Sequence, residues 1–208
     1  MPTSSQWVAF LVASFLFIQV PGPSLLFTIG RALTVGRREA LLSVVGNGIG
    51  LVVQVLAVAV GLGAVIAASA TAYSVIKIAG AAYVIWLGIQ AIRHRGEARA
   101  ALDAKTEAPT GNAVRIGFLV GVTNPKTIIF FIAFLPQFTN AAAGHTGLQV
   151  AVLGLVFGLL AISSDSVWAL AAGKARTWLA RKPKRLDSLG AGGGAMMIGL
   201  GALMLARE

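Results

Sequence analysis

Two ionisable side chains lie within long apolar stretches of the sequence, Lys126 in VTNPKTIIFF and Asp165 in AISSDSVWAL. In such surroundings an ammonium and a carboxylate can each bind a group of opposite charge, and a carboxylate can also carry a proton. If the two meet, they can instead form a buried ion pair that joins two helices, although desolvation offsets most of its attraction. The sequence leaves both alternatives open.

Proline interrupts two of the apolar stretches. Pro21 stands in VPGPSLL, and Pro125 stands in VTNPKTIIFF. A proline inside a helix has no N–H to donate to the carbonyl four residues earlier. We therefore expect the carbonyls of Phe17 and Gly121 to lose their helical partners and to need others, because an apolar environment supplies none.

The same two motifs also have the pattern of a helix start. Gly22-Pro23 and Asn124-Pro125 each place an N-cap before a proline at the first helical position. Each stretch is then two half-helices, and the positive end of the second half faces the break, where anions bind. Irregular backbone inside a membrane protein is tolerated where it lines a cavity or is buried in protein. We predict a binding site at the breaks; a proline kink that only shapes packing is the alternative.

Uncharged polar residues can complete the lining of this site. Asn47 and Gln54 lie in the second apolar stretch, although interhelical hydrogen bonding without a ligand explains them equally well. The predicted substrate-binding residues are Pro21, Gly22, Pro23, Ser24, Asn47, Asn124, Pro125, Lys126 and Asp165.

The composition indicates the elements that position these residues. The chain has 208 residues, of which 57% are hydrophobic and only 12% charged, and its mean hydropathy is +0.83. Soluble domains carry about a quarter charged residues, so we predict an all-α membrane protein. Six apolar spans have the length that a bilayer requires. They cover residues 6–30, 41–66, 72–92, 116–138, 147–172 and 188–206.

Positive charge is confined to alternate connections between the spans. Of the 17 lysines and arginines, 14 follow the first, third and fifth spans, and none lies in 67–71 or 139–146. The positive-inside rule then places these three connections in the cytoplasm and both termini outside. Nucleic-acid binding is not expected, because the basic residues are divided among short loops instead of forming one face with aromatic platforms. The first span has no preceding basic residue and no cleavage pattern, so we expect it to be retained.

The two halves of the chain share a pattern of three spans and a proline break, although their direct sequence identity is weak. We expect one transporter domain over 1–208, with three spans in 1–92, a cytoplasmic loop in 93–113 and three spans in 114–208. A repeat of three spans enters the membrane in the opposite direction, as in inverted-repeat transporters. Pro21 and Pro125 lie half the chain length apart, which agrees with a 3+3 arrangement in which helices 1 and 4 are broken near mid-membrane.

Several kinds of site are not expected. The chain has no cysteine, no metal-ligand spacing and no GxSxG, HExxH or phosphate-loop motif. We therefore predict no catalytic residue, no metal, no cofactor and no enzyme activity, with lipid as the surrounding partner. Glycines four apart allow close helix packing, and a homodimer is one use of such a face.

The motifs resemble one known family. VPGPSLLFTIGRALTVGRR near the start and the NPK-to-LPQF block within Gly117–Phe138 are similar to those of the LysE/RhtB family of amino-acid exporters, in the lysine exporter superfamily. The resemblance covers essentially the whole chain, and an acidic residue in the fifth span, here Asp165, is also usual. The SSDS sequence around Asp165 is more polar than expected for the family.

This resemblance implies secondary active export of amino acids or close derivatives across the bacterial inner membrane, coupled to protons through Asp165. The substrate carboxylate would meet the helix starts after Gly22 and Asn124, reinforced by Lys126. Its ammonium would meet freed carbonyls or Asp165. A passive pore or cation-handling transporter of the same superfamily is the alternative, and a purely structural membrane partner is a further one.

Overall fold

Helices make up nearly all of the described chain. A computed structural model describes residues 1–20, 22–93, 111–181 and 184–206, and within them there are eight α-helices and no strand. The helices are α1 (Ser4–Gln19), α2 (Pro23–Thr34), α3 (Arg37–Ala68), α4 (Ala70–Arg93), α5 (Ala113–Val122), α6 (Pro125–Ala133), α7 (Thr146–Arg181) and α8 (Lys184–Ala206). Two 3₁₀ turns, Leu135–Phe138 and Ala141–Ala143, connect α6 to α7.

The helices coincide with the predicted spans. Two described helices, α3 and α7, are long and apolar enough to cross a membrane on their own, and the number rises to four if α1–α2 and α5–α6 each count as one span. The all-helical class is therefore confirmed. Six crossings, the inverted repeat, the single-domain boundaries and the orientation stay predictions, and the predicted loop 93–113 falls mostly outside the described residues.

Both predicted helix breaks are present. The α1–α2 pair and the α5–α6 pair are each bent by more than 40° where one helix ends and the next begins. The second helix of each pair begins with proline at its first position, as the sequence predicts, with Gly22 and Asn124 as the N-caps. Each break therefore brings a helix end and a helix start together.

A cluster of phenylalanines holds the two breaks against α7. Phe130 on α6 lies 4.2 Å from Phe17 on α1 and 4.8 Å from Phe157 on α7, measured between ring centroids. All three side chains are buried. Offset and tilted aromatic contacts of this kind add to the apolar packing, so the cluster fixes the relative positions of α1, α6 and α7.

Glycines bring α3 and α5 into backbone contact. A Cβ atom added at Gly46 would lie 2.8 Å from the amide nitrogen of Phe118, and one added at Gly50 would lie 2.5 Å from that of Val122. On α5, Gly117 and Gly121 likewise face the backbone of α3. These glycines serve packing within the chain, so the homodimer remains an untested prediction.

The α3–α5 contact predicts which glycine substitutions are harmful. A Cβ at Gly117 would overlap the backbone of Ser43, whereas nothing lies within 4 Å of one at Gly158. We expect Gly117→Ala to lower the free energy of unfolding by about 1–3 kcal/mol or more. The matched Gly158→Ala change should be neutral. Thermal denaturation of the two purified variants in detergent measures the difference, and equal melting temperatures would contradict the close packing.

The predicted orientation can be tested directly because the chain lacks cysteine. Ala142 lies between α6 and α7, Lys174 lies near the end of α7, and both are exposed. In intact cells a membrane-impermeant maleimide should label Ala142→Cys and should label Lys174→Cys only after lysis. The reverse pattern would place the termini inside.

Candidate functional site

The carbonyl end of α1 is closed by a lysine from another helix. Lys126 Nζ donates hydrogen bonds to the carbonyl oxygens of Phe17, at 2.8 Å, and Val20, at 2.7 Å. The same nitrogen lies 4.5 Å from the centroid of the Phe17 ring. The sequence predicted that the Phe17 carbonyl would lose its helical partner; in the structure it accepts from Lys126 and, at 3.3 Å, from the amide of Val20.

This arrangement is electrostatically favourable in three ways. The last carbonyls of a helix carry partial negative charge, hydrogen bonds from a charged donor are stronger than neutral ones, and an aromatic face attracts a cation. Lys126 is only 9% exposed. These three interactions offset part of the free-energy cost of burying its ammonium. In this conformation the ammonium is therefore hydrogen-bonded to the carbonyl end of α1. Its role in binding a substrate carboxylate stays a prediction.

The break between α5 and α6 is closed by Gln54 of α3. Its Nε2 atom donates to the carbonyl oxygens of Gly121, at 2.8 Å, and Val122, at 3.0 Å. Its Oε1 atom accepts a hydrogen bond of 2.8 Å from the hydroxyl of Thr127. Gln54 is thus a hydrogen-bond partner of the Gly121 carbonyl, which was predicted to lose its helical partner. It does not line the cavity described below.

Asn124 caps the start of α6. Its side-chain Oδ1 accepts a hydrogen bond of 3.1 Å from the amide of Lys126. This is the usual N-cap bond, and it satisfies one of the amides that a helix start leaves unpaired. The cap orients the first turn of α6 and, with it, the Lys126 side chain.

Asp165 on α7 is held by two long hydrogen bonds. Its Oδ2 atom accepts from the Ser24 hydroxyl and from Asn47 Nδ2, each at 3.4 Å. Ser24 is the second residue of α2, so the carboxylate faces the positive end of that helix. Asp165 and Asn47 are 5% and 3% exposed. The Asn47 Oδ1 atom is buried without a hydrogen-bond partner and remains available as an acceptor.

These groups surround one cavity of about 40 Å³. Its volume suffices for a few water molecules. Six of the predicted site residues line it: Gly22, Ser24, Asn47, Asn124, Lys126 and Asp165. Pro23 and Pro125 are exposed at the two helix starts and are not among the lining residues, while Pro21 lies outside the described residues.

Part of the cavity lining was not predicted from the sequence. Thr127 and the apolar side chains of Phe17, Leu51 and Phe157 also line the cavity. Thr127 follows the NPK motif directly, which was an available signal. The apolar wall gave no signal, because apolar residues are the norm in such helices.

The cavity presents both signs of charge to a small molecule. Lys126 and the first turns of α2 and α6 are positive, whereas Asp165 and the last carbonyls of α1 are negative. The hydrogen bonds of Lys126 and Asp165 go to different partners, and both residues line the same space. A zwitterion with an ammonium and a carboxylate therefore fits its chemistry.

Comparison with known proteins identifies similar chains. The model of a family described as LysE type translocator matches residues 15–208. A relative from Vibrio cholerae, described as an uncharacterized membrane protein, is 35% identical over 199 residues, which are 95% of each chain. No solved structure matches.

Two further relatives have descriptions that name a transported compound. A homoserine/homoserine lactone efflux protein of Salmonella typhimurium is 33% identical over 205 residues, 97% of each chain. A leucine efflux protein of Enterobacter sp. (strain 638) is 26% identical over 183 residues, 88% of this chain and 86% of the relative.

The role of Gln54 generates a stability prediction. Gln54→Leu removes the Nε2 donor to the Gly121 and Val122 carbonyls. The Gly121 carbonyl keeps a 3.3 Å bond from the Asn124 amide, so the loss falls mainly on the Val122 carbonyl, and a buried polar group left without a partner costs about 1–3 kcal/mol. The matched Gln137→Leu change removes only a bond to the Ala133 carbonyl. Thermal denaturation should show a larger loss for Gln54→Leu, and a larger loss for Gln137→Leu would contradict the role assigned to Gln54.

Proposed function

The chain belongs to the family of LysE type translocators, and we propose that it is a secondary active exporter of amino acids or close derivatives. The family match confirms the resemblance seen in the sequence motifs. Relatives that align with most of this chain are described as efflux proteins for homoserine, homoserine lactone and leucine. These relatives favour an exporter over the alternatives of a passive pore, a cation transporter or a structural partner.

The observation that carries the proposal is the cavity between the two helix breaks. The positive ends of α2 and α6 attract the carboxylate of an amino acid, and Lys126, which lines the same cavity, can reinforce them. The ammonium of the substrate has two possible partners in the same space, Asp165 and the last carbonyls of α1. Phe17, Leu51 and Phe157 provide an apolar wall for the side chain.

The cavity is narrow in this conformation. A volume of about 40 Å³ accommodates a few water molecules and is too small for homoserine or leucine. Transport therefore requires the cavity to enlarge and to open alternately to each side. The two bends are the natural hinges, because each is a point at which helical hydrogen bonding already stops.

Asp165 is our candidate for proton coupling. It is the carboxylate that lines the cavity, and its two hydrogen bonds are long, so protonation would disrupt little. We place the protein in the bacterial inner membrane with both termini outside. There, protons entering through Asp165 would drive export of the amino acid.

The proposal predicts gradient-driven uptake into inside-out vesicles. Vesicles that contain the protein should accumulate at least one labelled compound from a panel of amino acids that includes homoserine and leucine, when the vesicle interior is made acidic. A proton ionophore should abolish the accumulation. Absence of gradient-dependent uptake across the panel would reject the function.

Asp165→Asn should abolish accumulation against a gradient, because an amide cannot carry the proton. The protein should remain inserted, since Ser24 and Asn47 can still hydrogen-bond to the new side chain. Glu39→Gln removes an acid in the first turn of α3, away from the cavity, and serves as the matched control. If Asp165→Asn accumulates substrate as well as the control does, Asp165 is structural.

A further inference from the structure

The carbonyl end of α1 is a complete binding site for a primary ammonium. We call it the ammonium site and define it as the carbonyl oxygens of Phe17 and Val20 together with the face of the Phe17 ring. Its occupant is Lys126 Nζ, at 2.8 and 2.7 Å from the oxygens and 4.5 Å from the ring centroid. An ammonium has three N–H donors, so one donor of Lys126 remains for the cavity.

The group that occupies the site, a primary ammonium, is also present in the proposed cargo. The α-ammonium of an amino acid is a primary ammonium on a carbon chain, as is the end of a lysine side chain. Phe17, Val20 and Lys126 all line the cavity in which we propose that the amino acid binds. A bound amino acid could therefore donate to the same two carbonyls that Lys126 now occupies.

We propose that Lys126 is an internal substitute for the substrate ammonium. The inference rests on the proposed function and specifies how the cargo is bound. In the substrate-free protein Lys126 fills the ammonium site. When an amino acid binds, its ammonium takes the two carbonyls, and Lys126 turns into the cavity toward Asp165 and the substrate carboxylate.

Gly22 allows the Lys126 side chain to pass close to the start of α2. A Cβ atom at Gly22 would lie 3.0 Å from Lys126 Cδ and 3.5 Å from Nζ. A larger residue at position 22 would therefore crowd the lysine side chain in the conformation that reaches the carbonyls. A flexible four-carbon side chain can then change partners without movement of the α6 backbone.

Occupation of the ammonium site by Lys126 would help the protein to return across the membrane after the cargo has left. After release of the cargo, the exporter must return without an amino acid, and an unpaired carbonyl in its interior would oppose the return. With Lys126 in the ammonium site, the protein without cargo keeps the Val20 carbonyl paired, and it adds a charged donor to the Phe17 carbonyl, which also accepts from the Val20 amide at 3.3 Å. Net efflux, which includes the empty return, should therefore depend on Lys126 more strongly than exchange, in which substrate occupies the site in both directions.

Transport by Lys126→Met tests this difference. Methionine is of similar length and has no N–H donor. In proteoliposomes the ratio of exchange to net efflux should rise by about tenfold or more relative to the unsubstituted protein, since a bond to a charged donor is worth at least that factor. An unchanged ratio would overturn the proposal.

A binding measurement tests the ammonium site without any transport. In Lys126→Ala the site is open, so ethylammonium chloride should raise the melting temperature above that in sodium chloride of equal concentration. Tetramethylammonium, which has no N–H donor, should not, and the unsubstituted protein should show a smaller ethylammonium effect, because Lys126 competes for the site. If the variant folds only when ethylammonium is present, that also supports the site.

The outcomes separate this inference from the proposed function. A melting shift specific for ethylammonium in a protein that transports no amino acid would support the ammonium site and reject the exporter. Amino-acid export with no such shift, and with equal loss of exchange and net efflux in Lys126→Met, would support the exporter and reject the substitute role.

Discussion

The structure depends on one constraint: the backbone carbonyls released at the two helix breaks must find hydrogen-bond donors, because neither lipid nor an apolar core supplies them. Lys126 closes the first break, and Gln54 closes the second. Lys126 belongs to the first turn of α6, the helix that begins at the second break. The two breaks are therefore linked by a single side chain, and a movement of α6 changes the closure of α1.

The two buried charges differ in how tightly they are held. Lys126 makes hydrogen bonds of 2.7 and 2.8 Å to fixed backbone atoms. Asp165 accepts two bonds of 3.4 Å from side chains, which is beyond the usual range for such bonds. The carboxylate is thus the group that can change partner or protonation at low cost, whereas the ammonium leaves its site only for a competitor of equal chemistry.

The local features of the site could be predicted from the sequence because they follow from local rules. Proline at the first helical position and an N-cap before it predicted both helix starts, and the missing proline N–H predicted the released carbonyls of Phe17 and Gly121. The carboxylate Asp165 and the amide Asn47 were expected at the breaks because polar groups are costly elsewhere in such helices.

The partners across helices could not be predicted in the same way. Which donor reaches which carbonyl depends on the relative positions of α1, α3 and α6, and those depend on the phenylalanine cluster and on the glycine contacts of α3 with α5. Lys126 was expected beside the positive helix starts. Its side chain instead extends to the carbonyl end of α1. No local sequence pattern predicts this contact.

The Lys126 ammonium is bound to the end of α1 inside the protein. Solid-state NMR of membrane-embedded protein, with ¹⁵N in the lysine side chains and ¹³C in the valine carbonyls, measures this contact directly. A dipolar coupling between Lys126 Nζ and the Val20 carbonyl carbon, lost in Lys126→Arg, is the predicted result. A Lys126 side chain with no such coupling and with free exchange of its protons with water would contradict it.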